Sequence, residues 1–269
     1  MTIHHQATTS TDALQDEWDA WHNAHEERRA DRHGFLAVTG LHFLDEEARS
    51  FPDAPGEWTS TADGVVVELG PGEALEVGGR QVTGRHSFGV IPERAGVTAY
   101  FGDIAVEVAK RGGYDIVRPR HPDNPLRTAY HGTAAFPVRA SWQIDAQFTP
   151  YDEPRPIRVD AAVDGLEHVY DAPGEITFER GGSRFSLVAF PGHADGELLV
   201  LFSDATSGVT THPSVRSLTV IPDKTGAVLL DFNRATNLPC AYTQFATCPL
   251  PPPANKLPLA VTAGERVPQ

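Results

Sequence analysis

Ile104–Gly113, IAVEVAKRGG, reads as a half-buried strand running into a tight turn. Ile104, Val106 and Val108 fall two residues apart, the period of a strand with one face covered. Gly112 and Gly113 supply the positive φ that a two-residue hairpin turn demands. The same pattern extends in both directions from this stretch. Val65, Val67 and Leu69 alternate upstream; downstream come Trp142, Ile144, Ala146 and Phe148, then Ile157, Val159 and Ala161. Ile176 and Phe178, Phe185 and Leu187, Leu198, Val200 and Phe202, and Val228, Leu230 and Phe232 continue it. Gly78-Gly79, Gly181-Gly182 and Asp195-Gly196 mark further hairpin turns. No helical pattern of roughly 10–15 residues separates these segments, which argues against a parallel α/β sheet. The expected fold is mainly β, antiparallel sheets forming a sandwich or barrel.

One helix is predicted, at the N terminus. Leu14, Trp18, Trp21 and His25 lie on one face of a 3.6-residue period. Ser10 or Thr11 can cap it, Asp12 and Asp16 suit its positive end, and Gly34 follows its basic last turn. The Trp pair is read as packing against an open sheet face or edge. The run Pro119–Gly132, PRHPDNPLRTAYHG, has no clean period. A break there would give a helix plus small β-sandwich over 1–118 and a larger antiparallel unit over 119–269. One continuous domain with this run as a loop across a barrel mouth is the alternative.

Composition narrows the function classes. Forty per cent apolar residues, with 13 Phe and four Trp, supply a real core. A net charge of −14 argues against a nucleic-acid partner, since phosphate binding needs a basic face. No apolar run approaches the roughly 20 residues that cross a bilayer, so no membrane partner is expected. The opening MTIHHQATTSTDALQDEWDAW lacks a basic and then apolar leader, and a cytoplasmic location is expected. Arginine far outnumbers lysine, which points to a GC-rich bacterial genome. The sequence sets no oligomeric state.

Candidate chemistry gathers in Asp231–Glu265, DFNRATNLPCAYTQFATCPLPPPANKLPLAVTAGE, which holds both cysteines and six of the 22 prolines. Cys240 is a candidate nucleophile if Arg234, Arg216 or His212 lowers its pKa; the plainer alternative is a small buried residue. Cys248 is too irregularly spaced from it for a zinc knuckle, and the reducing cytosol keeps both as thiols. Neither metal nor cofactor is expected. Asn233, Asn237 and Asn255 can clamp a loop whose prolines cannot join a sheet, or can orient a ligand. Asp204 and Arg216, at the ends of neighbouring strands, would form a buried ion pair or an anion-binding corner. His42 interrupts an apolar run and Arg127 stands in the central run; both are ligand-binding candidates. His131 and His212 are the other acid–base candidates. The histidines form no HExxH pattern, and GxSxG, Walker A and GxGxxG are absent.

The C-terminal segment Leu230–Glu265, with FLAVTGLHFL (Phe35–Leu44), PLRTAYHG and FPV (Pro125–Val138), and FSDATSG with its downstream arginine (Phe202–Arg216), resembles DUF1684, a bacterial and archaeal family of unknown function. Thr211–Val215 stands where that resemblance leads one to expect a Tyr-Gly-Gly-like turn. The resemblance implies a fold and a set of motif positions, and no activity. From the residues, the expected function is a hydrolase-like enzyme for a small anionic molecule. Its site would lie between Asp204–Arg216 and Asn233–Cys240, with Cys240, His212 and Asp204 catalytic. The alternative is a non-catalytic β protein that binds a small ligand or a protein partner.

Overall fold

A computed structural model describes residues 11–268. Three antiparallel sheets carry the fold, which is mainly β. The first runs in the order His42–Phe43, Tyr114–Arg120, Ile104–Arg111, Gly96–Phe101, Leu75–Val77, Arg80–Val82. The second, of four strands, comprises Arg49–Phe51, Ala54–Thr61, Gly64–Glu68 and Arg85–Gly89. They enclose one core around Trp58, Val65, Val67, Val106, Val108 and Val117, a sandwich built by the alternation. The hairpin at Gly112-Gly113 joins Arg111 to its partner Tyr114, with φ of 58° and 85°. Gly78-Gly79 and Gly181-Gly182 make the same two-residue turns. Asp195-Gly196 does not: it lies in a longer loop, where Glu197 accepts from the amides of His193 and Ala194. Side-chain bonds hold that turn, so a second left-handed residue is not required.

The opposite face of the strand Ile104–Arg111 is not the wet polar face that alternation implies. Ala105, Glu107 and Ala109 are buried as well. Small residues and a carboxylate let other segments of the chain approach this side of the sheet, and the third sheet meets it at Gly112 and across from Arg111 and Arg118.

The third sheet runs Ala227–Asp231, Gln143–Asp160, Glu167–Arg180, Ser183–Pro191, Leu198–Phe202, Arg216–Val220, Thr236–Asn237. One face packs Ile176, Phe178, Leu187, Val200, Phe202 and Leu230 into the larger core. The other carries Val159, Tyr170, Phe190, Leu201 and Val215. LLVLF, Leu198–Phe202, supplies both cores, as an unbroken apolar run does in a strand covered on both sides. This second face turns towards the first sheet, and Gly112 sets how closely. A Cβ there would stand 2.6 Å from the Glu167 carbonyl oxygen, so only glycine lets the hairpin tip seat against Leu166–Glu167.

The helix Thr11–Arg29 docks on the segment after the strand Ala227–Asp231, not on the sandwich that follows it in sequence. Trp18 Nε1 donates to the Asn233 carbonyl at 2.7 Å, and Leu14 is buried. Arg127 closes the other end, its Nε donating to the carbonyls of Ala30 and Asp31 at 3.0 and 3.2 Å. The predicted cap Ser10 lies outside the described residues. Among the described residues, no helix is long and apolar enough to cross a membrane.

Candidate functional site

Asp204 and Arg216 form the buried ion pair, with Arg216 Nη2 at 2.8 Å from Asp204 Oδ2. Each has further partners, and Arg216 Nε alone of its nitrogens has none. Asp204 Oδ1 accepts from the Thr206 amide, the Thr206 hydroxyl and the Val261 amide. Arg216 donates to the carbonyls of Ala263 at 2.6 Å, Val261 at 3.1 Å and Glu265 at 3.3 Å. The side chains are 0% and 1% exposed, so the pair presents no surface to a ligand. Its task is to hold residues 261–265 against the strand Arg216–Val220.

The asparagines are clamps. Asn233 exchanges two bonds with the Arg139 backbone and donates to Asp231 Oδ1. Asn237 donates from Nδ2 to the Arg266 carbonyl, and its amide donates to Glu265 Oε2 at 2.6 Å. Asn255, fully buried, holds the Val188 amide and the carbonyls of Val188 and Leu201. These bonds replace the ladder that the prolines forbid.

The remaining candidates scatter. His42 stacks on Phe51 at 4.2 Å, and burial lowers its pKa. His212 accepts from the Ser214 amide, and burial lowers it too. His131 is exposed. Cys240 has no histidine or arginine hydrogen-bonded to it among the described residues; its amide donates to Cys248 Sγ at 3.3 Å. The bond from the Cys240 side chain, and then burial, push the Cys248 thiol well up. Asp204, Arg216 and Asn237 meet through Glu265, while among the described residues no hydrogen bond or ion pair joins His42, Arg127, His212 or Cys240 to them.

Glu265 leads to a network that sequence reading missed. Arg29 Nη2 donates to Glu265 at 2.7 Å and to His25, while Nη1 donates to Glu26, Tyr130 and Thr133. The Tyr130 hydroxyl donates to Glu26. Burial, and then the charges of Arg29 and Arg28, lower His25 to about 4. His22, Glu26 and Glu265 lie within 4.8 Å of one another, the spacing of a cation site. The Arg29 guanidinium bridges those two carboxylates, so the group fits its own arginine and not a metal.

A different place has open chemistry. Between the first and third sheets lies a cleft of about 450 Å3. One wall is the first sheet and the loop before it, and every lining residue it gives is an arginine: Arg94, Arg111 and Arg118. The facing wall comes from the third sheet and the proline-rich segment, including Tyr170, Leu199, Leu238 and Cys248. No Asp or Glu lines the cleft. Arg118 forks onto Glu107 with Nε and Nη2, each at 2.9 Å. Arg111 reaches the same carboxylate at 2.9 Å, and Arg120 reaches it too. Arg94 has no carboxylate in ion-pair range among the described residues; its guanidinium lies 4.6 Å over the Tyr170 ring. Glu93, tied to the amides of Gly112 and Gly113, is the second acid nearby. Four guanidiniums therefore share two carboxylates. Burial pulls Arg111 below its ordinary value despite Glu107, and the charges of Arg118 and Arg120 add to that pull.

Ser217 also lines this cleft, one residue after the buried Arg216. Strand alternation sends the two side chains to opposite faces, so the sealed pair and the open cleft are separate places.

The sequence pattern of the family described as protein of unknown function, DUF1684, matches residues 128–266, just over half of the chain. This chain belongs to the DUF1684 family. The DUF1684 match takes in the ion pair, the clamps and the proline-rich wall of the cleft, while Phe35–Leu44 and the three cleft arginines precede it. Among solved structures, the chain is similar to an uncharacterized protein from gene locus rrnAC0354 of Haloarcula marismortui, solved by solution NMR. The identity is 32%, over 52% of this chain and 79% of that one, with a TM-score of 0.44. Comparison with curated proteins gives no match.

Proposed function

We propose that this DUF1684 protein binds a small anionic molecule in the arginine-walled cleft. One observation carries the reading: in a chain of net charge −14, the cleft is lined by three arginines and no acid. Guanidiniums that outnumber their carboxylates repel one another, and an entering anion relieves that repulsion while gaining charge-assisted hydrogen bonds. The site moves from the sealed pair Asp204–Arg216 to the other face of the same strand. The segment Leu238–Pro249 remains one wall. Binding is favoured over turnover because the thiol on this wall, Cys248, is held protonated.

Inorganic phosphate titrated into the full-length protein at low salt, followed by calorimetry, tests this. Saturable binding is expected, weakened at least tenfold in Arg94→Ala and in Arg118→Gln. Arg94 is exposed and holds no structural ion pair, so its variant keeps the fold and separates lost binding from lost stability. Absence of saturable binding, or equal binding by wild type and Arg94→Ala, would overturn the proposal.

A further inference from the structure

We infer that the ligand is an amphipathic anion, whose charged head meets the arginine wall while an apolar body lies on the facing wall. The inference rests on the anion-binding reading of this cleft and names the class of molecule. Three observations support it.

The first is the asymmetry of the walls. The first-sheet side offers only guanidiniums, whereas the facing side is dominated by Pro191, Leu199, Leu238, Pro239, Ala246 and Pro249. A wholly polar anion would leave these surfaces wet on one side of the bound complex. Covering them releases water and adds affinity in proportion to the apolar area covered.

The second is size. About 450 Å3 is the volume of roughly fifteen water molecules in the liquid. A bare oxyanion fills a small part of that space, and sites of this volume hold molecules with a carbon body. Arg94 extends the platform for such a body. Its guanidinium carbon lies 4.6 Å over the Tyr170 ring, which in turn packs on Phe190 at 5.0 Å. A planar guanidinium held this way can take a flat group against its free face while its edge donors remain available.

The third is a polar acceptor on the apolar wall. His168 is 4% exposed and its Nε2 donates to the Thr247 carbonyl at 2.7 Å, which fixes the tautomer and leaves Nδ1 an acceptor. Nδ1 is buried and has no hydrogen-bond partner in the protein. Buried polar atoms are nearly always satisfied, and this acceptor, one of six such side-chain atoms among the described residues, is the one that belongs to a residue lining the cleft.

Two head chemistries share this description, a carboxylate and a phosphate monoester, and the experiment distinguishes them. Calorimetric titrations of the full-length protein with inorganic phosphate, phenyl phosphate, acetate and benzoate compare bare and bodied anions of each kind. Benzyl alcohol serves as the uncharged control. At least one bodied anion is expected to bind ten times or more tightly than its bare counterpart, and benzyl alcohol not to bind. A preference for phenyl phosphate assigns a phosphate head, and a preference for benzoate a carboxylate head; either supports the inference. Leu238→Ala is expected to weaken the bodied anion at least threefold more than it weakens inorganic phosphate. If phosphate and phenyl phosphate bind alike, and acetate and benzoate likewise, the amphipathic inference fails while the anion reading stands. If no anion binds, both fail. Tight binding of benzyl alcohol would overturn the role of the head.

Discussion

Arg216 and Arg118 are both strand arginines paired with a carboxylate at less than 3 Å, yet one is closed and the other open. Asp204 pairs with Arg216 alone, and three carbonyls take the remaining Nη donors. Glu107 is divided among Arg111, Arg118 and Arg120. A buried one-to-one ion pair whose Nη donors are all used is architecture; guanidiniums in excess of carboxylates, on the wall of a cleft, form an unfinished charge pattern. Counting guanidiniums against carboxylates separates structural arginines from binding ones where residue type and pair distance do not.

The contrast breaks most visibly at Asp204. Asp204→Ala leaves a buried, uncompensated guanidinium and is expected to cost about 3–5 kcal/mol in urea unfolding. Added phosphate should restore no more stability than it gives wild type. A loss well under 1 kcal/mol would mean the carbonyls suffice, and the closed class would dissolve.

Acid tests the shared carboxylate. Burial raises the Glu107 pKa, but Arg118 and then Arg120 outweigh it and hold the group down at about 2. A depressed carboxylate stabilises the folded state above its ordinary value of 4.5, and that stability is lost as pH falls from there towards 2. The shift corresponds to about 3 kcal/mol. Urea midpoints of wild type should fall through this window relative to those of Glu107→Gln; parallel curves would show that Glu107 is not held by the arginines.

A smaller loss is expected at the helix, discounted because His25 is partly exposed. Its folded pKa of about 4 lies below the ordinary 6.5, so the stability it contributes is complete above 6.5 and declines as pH falls towards 4. Protonation would set a cation against Arg29, which donates to this ring. Trp18 and Trp21 report the loosening through their fluorescence, and an unchanged emission from pH 7 to 4 would count against it.

The smallest effect on stability belongs to Arg94→Ala. It removes one exposed cation–π contact, about 0.5–1 kcal/mol, while it weakens anion binding at least tenfold. A large loss of stability would place Arg94 with Arg216.

Much of the fold was legible because its signals are local. Gly112-Gly113 and Gly181-Gly182 specify their turns without help from the rest of the chain, and the Trp stripe specifies its helix. Asp195-Gly196 misled because Glu197, two residues beyond the dipeptide's start, ties down a longer loop. The clamping role of Asn233, Asn237 and Asn255 was legible as an alternative, since prolines force other groups to satisfy the backbone. The cleft was not. Arg111 closes the very strand whose valines reveal the sandwich, while Arg94 lies in the loop before the strand Gly96–Phe101 and Arg118 in the strand Tyr114–Arg120, far in sequence from the segment they face. One signal was available: opposite the valines stand Ala105, Glu107 and Ala109, small residues around one acid. Glu107 is the cross-strand partner of Arg118. Such a face suits another layer of protein better than water.

Arg29 and Glu265, whose bond pins the helix, are 236 positions apart. A ribosome adding about 5–20 residues per second makes Arg29 roughly 10–50 s before it makes its partner. For most of that interval Arg29 has at most Tyr130 and Thr133 to bond outside its own helix, and Trp18 waits for the Asn233 carbonyl. The helix Thr11–Arg29 is thus locked by residues made long after it, and its apolar stripe is open to wrong partners in the meantime.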